Sequence, residues 1–497
     1  MKNNLFKNEK GAMLILSLAA TGIFLAMLLG TIGLAMLQQK ININKMAETQ
    51  AIHIAEAGVN YYRWVLYHDH EEYCNKETCI PGPNYGPYGP YEYKDSAGGT
   101  ISGYYELYII PPAIDGSTIV NIKSVGWVAG HPNQKREIEV RCGIPSWSSY
   151  STLANEAMRF GSGTEVWGPI HSNGGIRFDG LAHNVITSAL LDYDDPDHSG
   201  PNEFGVHTHL SPVDPLPDGS NPPGNVPERT DVFAAGRSFP EAVVSFDLLN
   251  SYISDTYSKA QSNGIIFDPR PSGTADPLSV AYFQGCGTSG NFCDEGFHIH
   301  LRTDNTFDIR GVNSVRGDCY SASNSINGEE SSAHNYPVPA NGLIFVKGNL
   351  WVDGQINGDR ITILAFEEPF VGGTADILIN NDILYSHYDG TEAIGLIAQN
   401  NVSVGQYSED DLRIDSALVA KEGRIGRNYY PSYCTDYKRT TITVNGSLAT
   451  RKRYGFAYTD GTGYQFRNLV YDNNLTFAPP PHYPTTGEYT FISWREN

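Results

Sequence analysis

The sequence predicts a mainly β protein led by one long α-helix. Three observations carry that reading. Residues Ala12–Leu37 contain no charged side chain, and the first proline of the chain is Pro81, so nothing breaks a helix there. The chain has Gly 51, Pro 29 and Tyr 31 with only 18% charged residues, a profile of turn-rich β structure with aromatic loops. Beyond Pro145, short apolar triplets recur between Asn, Gly and Asp corners, without the 3.6-residue period of an amphipathic helix. At 497 residues the chain exceeds one ordinary core, so more than one folded unit is expected.

The helix comes first. Lys2, Lys7 and Lys10 precede Gly11, and the uncharged run follows. As a helix, Ala12–Leu37 spans about 39 Å, enough for a bilayer core of about 30 Å. The positive-inside rule places the amino terminus in the cytoplasm and the remainder outside. A cleavable signal has an apolar core of only ~7–15 residues, whereas this run continues into helical sequence. There Ala47, Ala51, Ile54, Ala55, Gly58 and Tyr62 share one face, with Glu48, Gln50, His53 and Asn60 elsewhere. One helix over roughly 12–67 is expected, with 12–37 in the membrane and an amphipathic outer half from residue 38.

Residues 68–99 read as loop, because Pro, Gly and Tyr punctuate them. Three strands follow at Gly103–Ile110, Thr118–Gly130 and Lys135–Cys142. The last alternates, with Ile138 and Val140 on one face and Glu137, Glu139 and Arg141 on the other. Asp115-Gly116 and His131-Pro132-Asn133 supply the turns. With the outer half of the helix, this antiparallel meander forms a head over 38–145.

The region 146–470 repeats a different pattern. Apolar pieces at Ile344–Val346, Ile361–Ala365, Leu396–Ala398, Ala417–Ala420 and Ile442–Val444 are separated by corners such as Gly348-Asn349, Asn357-Gly358 and Asn445-Gly446. Spacings of about 16–20 residues predict an irregular right-handed parallel β-helix. Glu165–Gly180 has the form of an earlier rung. An insertion at about 190–340 holds a helix over Phe246–Ser262 and a hairpin turning at Asp304-Asn305. The tail, 471–497, is extended and suited to covering a solenoid end. The alternative architecture is a β-sandwich or jelly roll.

The amino-terminal arrangement resembles the type IV pilin family. A basic leader, 1–11, ends in Gly11, and an uncharged run opens one long helix. The stretch "AETQAIHIAEAGV" is similar to the matching part of PilX-like minor pilins. The resemblance implies cleavage between Gly11 and Ala12 by a prepilin peptidase, methylation of Ala12, and partnership with other pilins. Major pilins carry Glu as the fifth mature residue, and Leu16 stands there. A carboxylate among apolar groups needs a partner, thought in that family to be a neighbour's amino terminus, and Leu16 cannot make that pair. The departure implies a minor, tip-type role in a pilus or pseudopilus, with surface contact as its work. Length and hydropathy alone also fit an uncleaved single-pass anchor.

Cysteine usage fits an exported protein. Cys74 with Cys79 and Cys286 with Cys293 are close pairs, expected as local disulfides. Cys319 and Cys434 are further disulfide candidates, and Cys142 is the expected free thiol. Paired Cys-x-x-Cys knuckles are absent from the sequence, which excludes a zinc ribbon. A net charge of −21 opposes a nucleic-acid partner. Asp353, Asp359, Asp376, Asp382 and Asp415 could serve acid–base cleavage of an acidic polysaccharide. Most stand at corners where Asp caps turns, so no catalytic residue is assigned and the chain is read as non-enzymatic. The alternative is a membrane-tethered carbohydrate-active enzyme. His207-x-His209 and His298-x-His300 place paired imidazoles on one strand face and are read as solvated, with no metal or cofactor expected. Tyr-rich loops such as "NYGPYGPYEY" offer surface for a glycan or cell-surface ligand.

Overall fold

A computed structural model describes residues 9–82, 85–95, 99–113, 116–217, 225–269, 295–319 and 324–497. The leader segment 1–8 lies outside the described residues. The chain forms two compact units. The first comprises Met1–Pro111, Val120–Cys142 and Phe491–Asn497, and the second Pro112–Ile119 and Gly143–Thr490.

The first unit is built on helix α1, Glu9–His68, about 90 Å long at 1.5 Å per residue. Ala47, Ala51, Ile54, Ala55 and Tyr62 are buried on one face, the face their spacing predicts. They pack on an antiparallel sheet of β1 (Tyr88–Lys94), β2 (Ile101–Ile110), β3 (Val120–Val128) and β4 (Arg136–Gly143). Ile138, Val140 and Cys142 alternate inward along β4.

Strand β1 falls within the stretch read from the sequence as loop. Its position at the sheet edge explains the difference, since an edge strand tolerates Pro90. Tyr88 is buried, and the Tyr91 and Tyr105 rings stand 5.4 Å apart. The carboxyl tail differs too. Thr490–Glu496 lies beside β4 in this sheet, rather than forming part of an arm across a solenoid end. It covers backbone groups that an open edge would leave unpaired, and Asn497 N donates to Glu137 O at 2.9 Å.

The second unit is a parallel β-helix. In one column Ile265, Ile344, Ile363, Leu396, Leu418, Leu448, Thr152, Ile170, Ile186 and Arg237 stack in register on successive strands. Spatial order is therefore not chain order. The chain enters mid-stack at Thr152–Ala154 and builds outward to Arg237–Ser238. Helix α2, Leu248–Asn263, then carries it to the opposite end at Ile265–Phe267. From there it winds back until Leu448–Thr450 pairs with Thr152–Ala154. The expected insertion at 190–340 thus contains two strands of this column, Arg237–Ser238 and Ile265–Phe267.

Both faces of this column are covered. Ile344, Ile363, Leu396 and Leu418 point into the solenoid core. Phe345, Leu364, Ile397 and Val419 pack in an outer cluster with Leu249, Ile253 and Ala260 of α2. Strands buried on both faces read as continuous apolar runs rather than alternating ones, which is why "LIFV" and "GLIA" appear as triplets. Paired rung positions are 16 residues apart from Ile170 to Ile186 but 33 from Ile363 to Leu396, because loops leave between strands. Antiparallel pairing joins Gly296–Leu301 to Thr306–Arg316, but the former also pairs in parallel with Leu350–Gln355. Parallel columns of this extent set the jelly-roll alternative aside.

The cysteines divide three ways. Cys74 and Cys79 form a disulfide that closes a small loop in the first unit. Cys319 and Cys434 form another, across 115 residues of the solenoid unit. Cys142 is a free thiol whose pKa burial pushes up to about 12. The expected disulfide between Cys286 and Cys293 is not among the bonds described, because Cys286 and Cys293 both lie outside the described residues.

Candidate functional site

Two surfaces stand out. On α1, every large apolar side chain from Met13 to Leu37 is exposed, and Leu16 is 74% exposed. The few polar side chains there turn inward. Ser17, Thr21 and Thr31 hydroxyls donate to the Leu14, Ser17 and Leu28 carbonyls at 2.9, 2.7 and 2.9 Å, hiding their donors from an apolar environment. An apolar surface this large is unstable in water, and the helix is long and apolar enough to cross a membrane. Gly11 lies within α1, and the Ala12 side chain falls outside the described residues.

The second surface is a cleft of about 640 Å³ on the solenoid, where His300, Arg302, Asp304, Asp353, Asp382 and Glu409 converge. Parallel register places His298 and His300 beside Trp351 and Asp353. His298 Nδ1 is 2.8 Å from Glu329 and its Nε2 3.2 Å from Asp353. His300 Nδ1 lies 2.5 Å from the other Asp353 oxygen. Burial by itself would lower the His298 pKa, but the Asp353 and Glu329 carboxylates hold it up at about 9. Against its own burial, Asp353 is held well below the carboxylate range by these two histidines and Asn381.

This pairing sets a pH dependence. His298 titrates near 6.5 when unfolded and near 9 when folded, so its contribution is complete below about pH 6.5 and lost as pH rises through 9. Stability is expected to fall by on the order of 2 kcal/mol across that window. Denaturation profiles of wild type and His298→Gln at about pH 6 and about pH 10 check this. An equally steep decline in the variant contradicts it.

The aspartates singled out from the sequence divide. Asp353 and Asp382 reach the cleft, although Asp382 also accepts from Arg413 N at 2.7 Å. Asp376 accepts from Asn401 N at 2.8 Å, and Asp415 from Tyr385 N at 3.0 Å and the Tyr388 hydroxyl at 2.7 Å. These bonds tie one turn of the solenoid to the next. Asp359 is buried, and its carboxyl pKa rises to about 6 through burial and the charges of Glu392 and Asp304. Glu329, Arg302 and Glu409 stand in no sequence motif that marks a site. Their only sequence signal is charge, and the register that gathers them is tertiary. His298 is mostly buried and His207 fully so, which corrects the solvated-face reading for both.

The class of protein so defined is a membrane-length helix under an antiparallel sheet, joined in one chain to a parallel β-helix. No protein-family profile matches the chain, and no curated protein matches it. Among solved structures, the competence-associated pilin ComZ from Thermus thermophilus aligns over 91% of this chain and 98% of its own, at 12% identity and a TM-score of 0.31.

Proposed function

We propose that the chain is a non-enzymatic, minor tip-type pilin-like protein that presents its solenoid outside the cell. The carrying observation is the division of α1, with an exposed apolar half before residue 38 and a half packed under the sheet from Ala47 onward. Such a helix serves first as an anchor and then as an assembly surface for other pilins. Leu16 in place of a carboxylate supports a low-copy position, because it removes a charge that needs pairing in an apolar bundle. In this reading a prepilin peptidase cuts after Gly11. The exported units then contact a surface glycan or another cell-surface ligand through tyrosine-rich loops. Tyr433, in the tyrosine-rich run "RNYYPSYCTDYKR", is exposed, and aromatic faces stack on sugars. The net charge of −21 disfavours nucleic acid.

Terminal sequencing of the protein recovered from cells tests the reading. The expected mature chain begins at methylated Ala12, and Gly11→Asp leaves the leader attached. An intact Met1 terminus on surface-exposed wild type contradicts it.

The cleft favours a second reading, a tethered carbohydrate-active enzyme, because carboxylates and an imidazole converge there. Turnover of an acidic polysaccharide that disappears in Asp382→Asn would support it.

A further inference from the structure

A histidine–carboxylate cluster outside both surfaces has an arrangement that hydrogen bonding leaves unexplained. Asp192–Tyr193 pairs antiparallel with Glu203–Phe204, and Val206–His207 then joins Ile176–Phe178 in parallel. These pairings bring together Asp195, Glu203, His207 and His209. Asp195 is 3% and His207 0% exposed. His207 Nδ1 lies 3.2 Å from the Phe204 carbonyl, which places a proton on Nδ1, so that in the neutral ring the lone pair is on Nε2. That nitrogen faces Asp195 Oδ2 at 3.6 Å, and neither atom has a hydrogen-bond partner.

Two buried polar atoms facing each other at 3.6 Å with no hydrogen bond made are costly, and a cation held between them removes the cost. Arg177 Nη1 stands 3.6 Å from the same oxygen, beyond hydrogen-bond distance, while its Nε donates to Asp179 at 2.7 Å. His209 Nε2 is 3.3 Å from Glu203 Oε1. One ligand atom each from Asp195, His207 and His209 lies within 4.8 Å of the others. Zinc bonds of about 2.0–2.2 Å set neighbouring ligands about 3.4 Å apart in a tetrahedron, close to the His207–Asp195 separation. His207 also has the Phe204 carbonyl oxygen on its far nitrogen, the usual outer support of a metal-bound histidine.

We propose that Asp195, His207 and His209 bind one divalent transition-metal ion, zinc by preference, with Glu203 and the Phe204 carbonyl orienting the two rings. The ion staples a stretch of solenoid that has little regular secondary structure of its own. His198, 3.6 Å from Glu203, lies beyond the shared carboxylate.

The full-length chain, purified in detergent and stripped with a chelator, is titrated with zinc by calorimetry and with cobalt by visible absorption. One equivalent of zinc is expected, with the intense cobalt bands of a low-symmetry, four-coordinate site. Asp195→Asn and His209→Gln each weaken zinc binding at least about tenfold, while His131→Gln, in the other unit, leaves it unchanged. If Asp195→Asn does not fold, His209→Gln, at the more exposed ligand, decides. Absence of zinc binding, or equal binding by wild type and His209→Gln, overturns the proposal and leaves His207 and Asp195 as a proton-sharing pair.

Discussion

Replacing Arg427 by alanine is expected to destabilise the solenoid unit by about 3–5 kcal/mol, lowering its Tm by about 5–10 °C. Arg427 follows Ile425 on a strand paired with Val402–Val404 and is fully buried. Its guanidinium donates to the Gly405, Gln406, Asp436 and Tyr437 carbonyls, at 3.4, 3.0, 2.6 and 3.1 Å. It also lies against the Tyr430 and Tyr464 rings, 4.8 and 5.7 Å from their centroids. Removing it leaves those carbonyls without this donor and opens a cavity at the base of the loop that Cys434 ties to Cys319. Arg427→Met keeps most of the volume and separates the two effects, since only the lost hydrogen bonds remain. Calorimetry and limited proteolysis near residues 428–437 measure both. An Arg427→Ala protein that melts within a degree of wild type contradicts the account.

Gly126→Leu is expected to dislodge α1 from its sheet, at a cost of about 3 kcal/mol or more. A Cβ at Gly126 would stand 2.5 Å from both Ala51 O and Ala55 N. Those are backbone atoms, so no rotamer change relieves the clash. Gly58 makes the reciprocal approach, where a Cβ would meet the Ser124 hydroxyl oxygen at 2.4 Å. The helix therefore sits on β3 at a distance only glycine permits. Hydrogen exchange read peptide by peptide should show lost protection over residues 47–66 and 120–142 in the variant. Unchanged protection there would show that the helix can shift without loss.

Much of the first unit was legible because its contacts are periodic. Ala47, Ala51, Ile54, Ala55 and Tyr62 mark their buried face at helical spacing, and Ile138 and Val140 mark theirs at strand spacing. Strand β1 was not legible, since Pro90 and the flanking glycines dominate the local pattern and only its edge position makes them acceptable. In the solenoid the apolar triplets marked the strands, but parallel partners lie from 16 residues apart, as Ile170 and Ile186, to 79, as Ile265 and Ile344, and Leu448 pairs with Thr152 across 296. Ala449 beside Leu153 leaves no trace in either stretch. The cysteines show the same contrast. Proximity alone pointed to Cys74 with Cys79, whereas the partnership of Cys319 with Cys434 depends on the winding of the solenoid. The expectation for Cys286 and Cys293 rests on proximity too and falls outside the described residues. The cleft was half visible. The two histidines shared a strand, while Asp353 and Glu329 reach His298 only through parallel and antiparallel pairing.

Local chemistry was enough to establish a membrane-length apolar helix, its amphipathic continuation and β-rich structure beyond it. Each depends on composition or on a period of a few residues, and such signals survive in one dimension. Tertiary structure alone decided that the solenoid is entered in mid-stack and that α2 covers its outer face. It also decided that the final strand belongs to the first unit's sheet, and that Asp195, His207 and His209 converge. Those outcomes depend on register between distant segments. Parallel pairing places almost any apolar triplet acceptably beside another, so burial of both faces and the reach of α2 select among arrangements that the strands themselves do not distinguish.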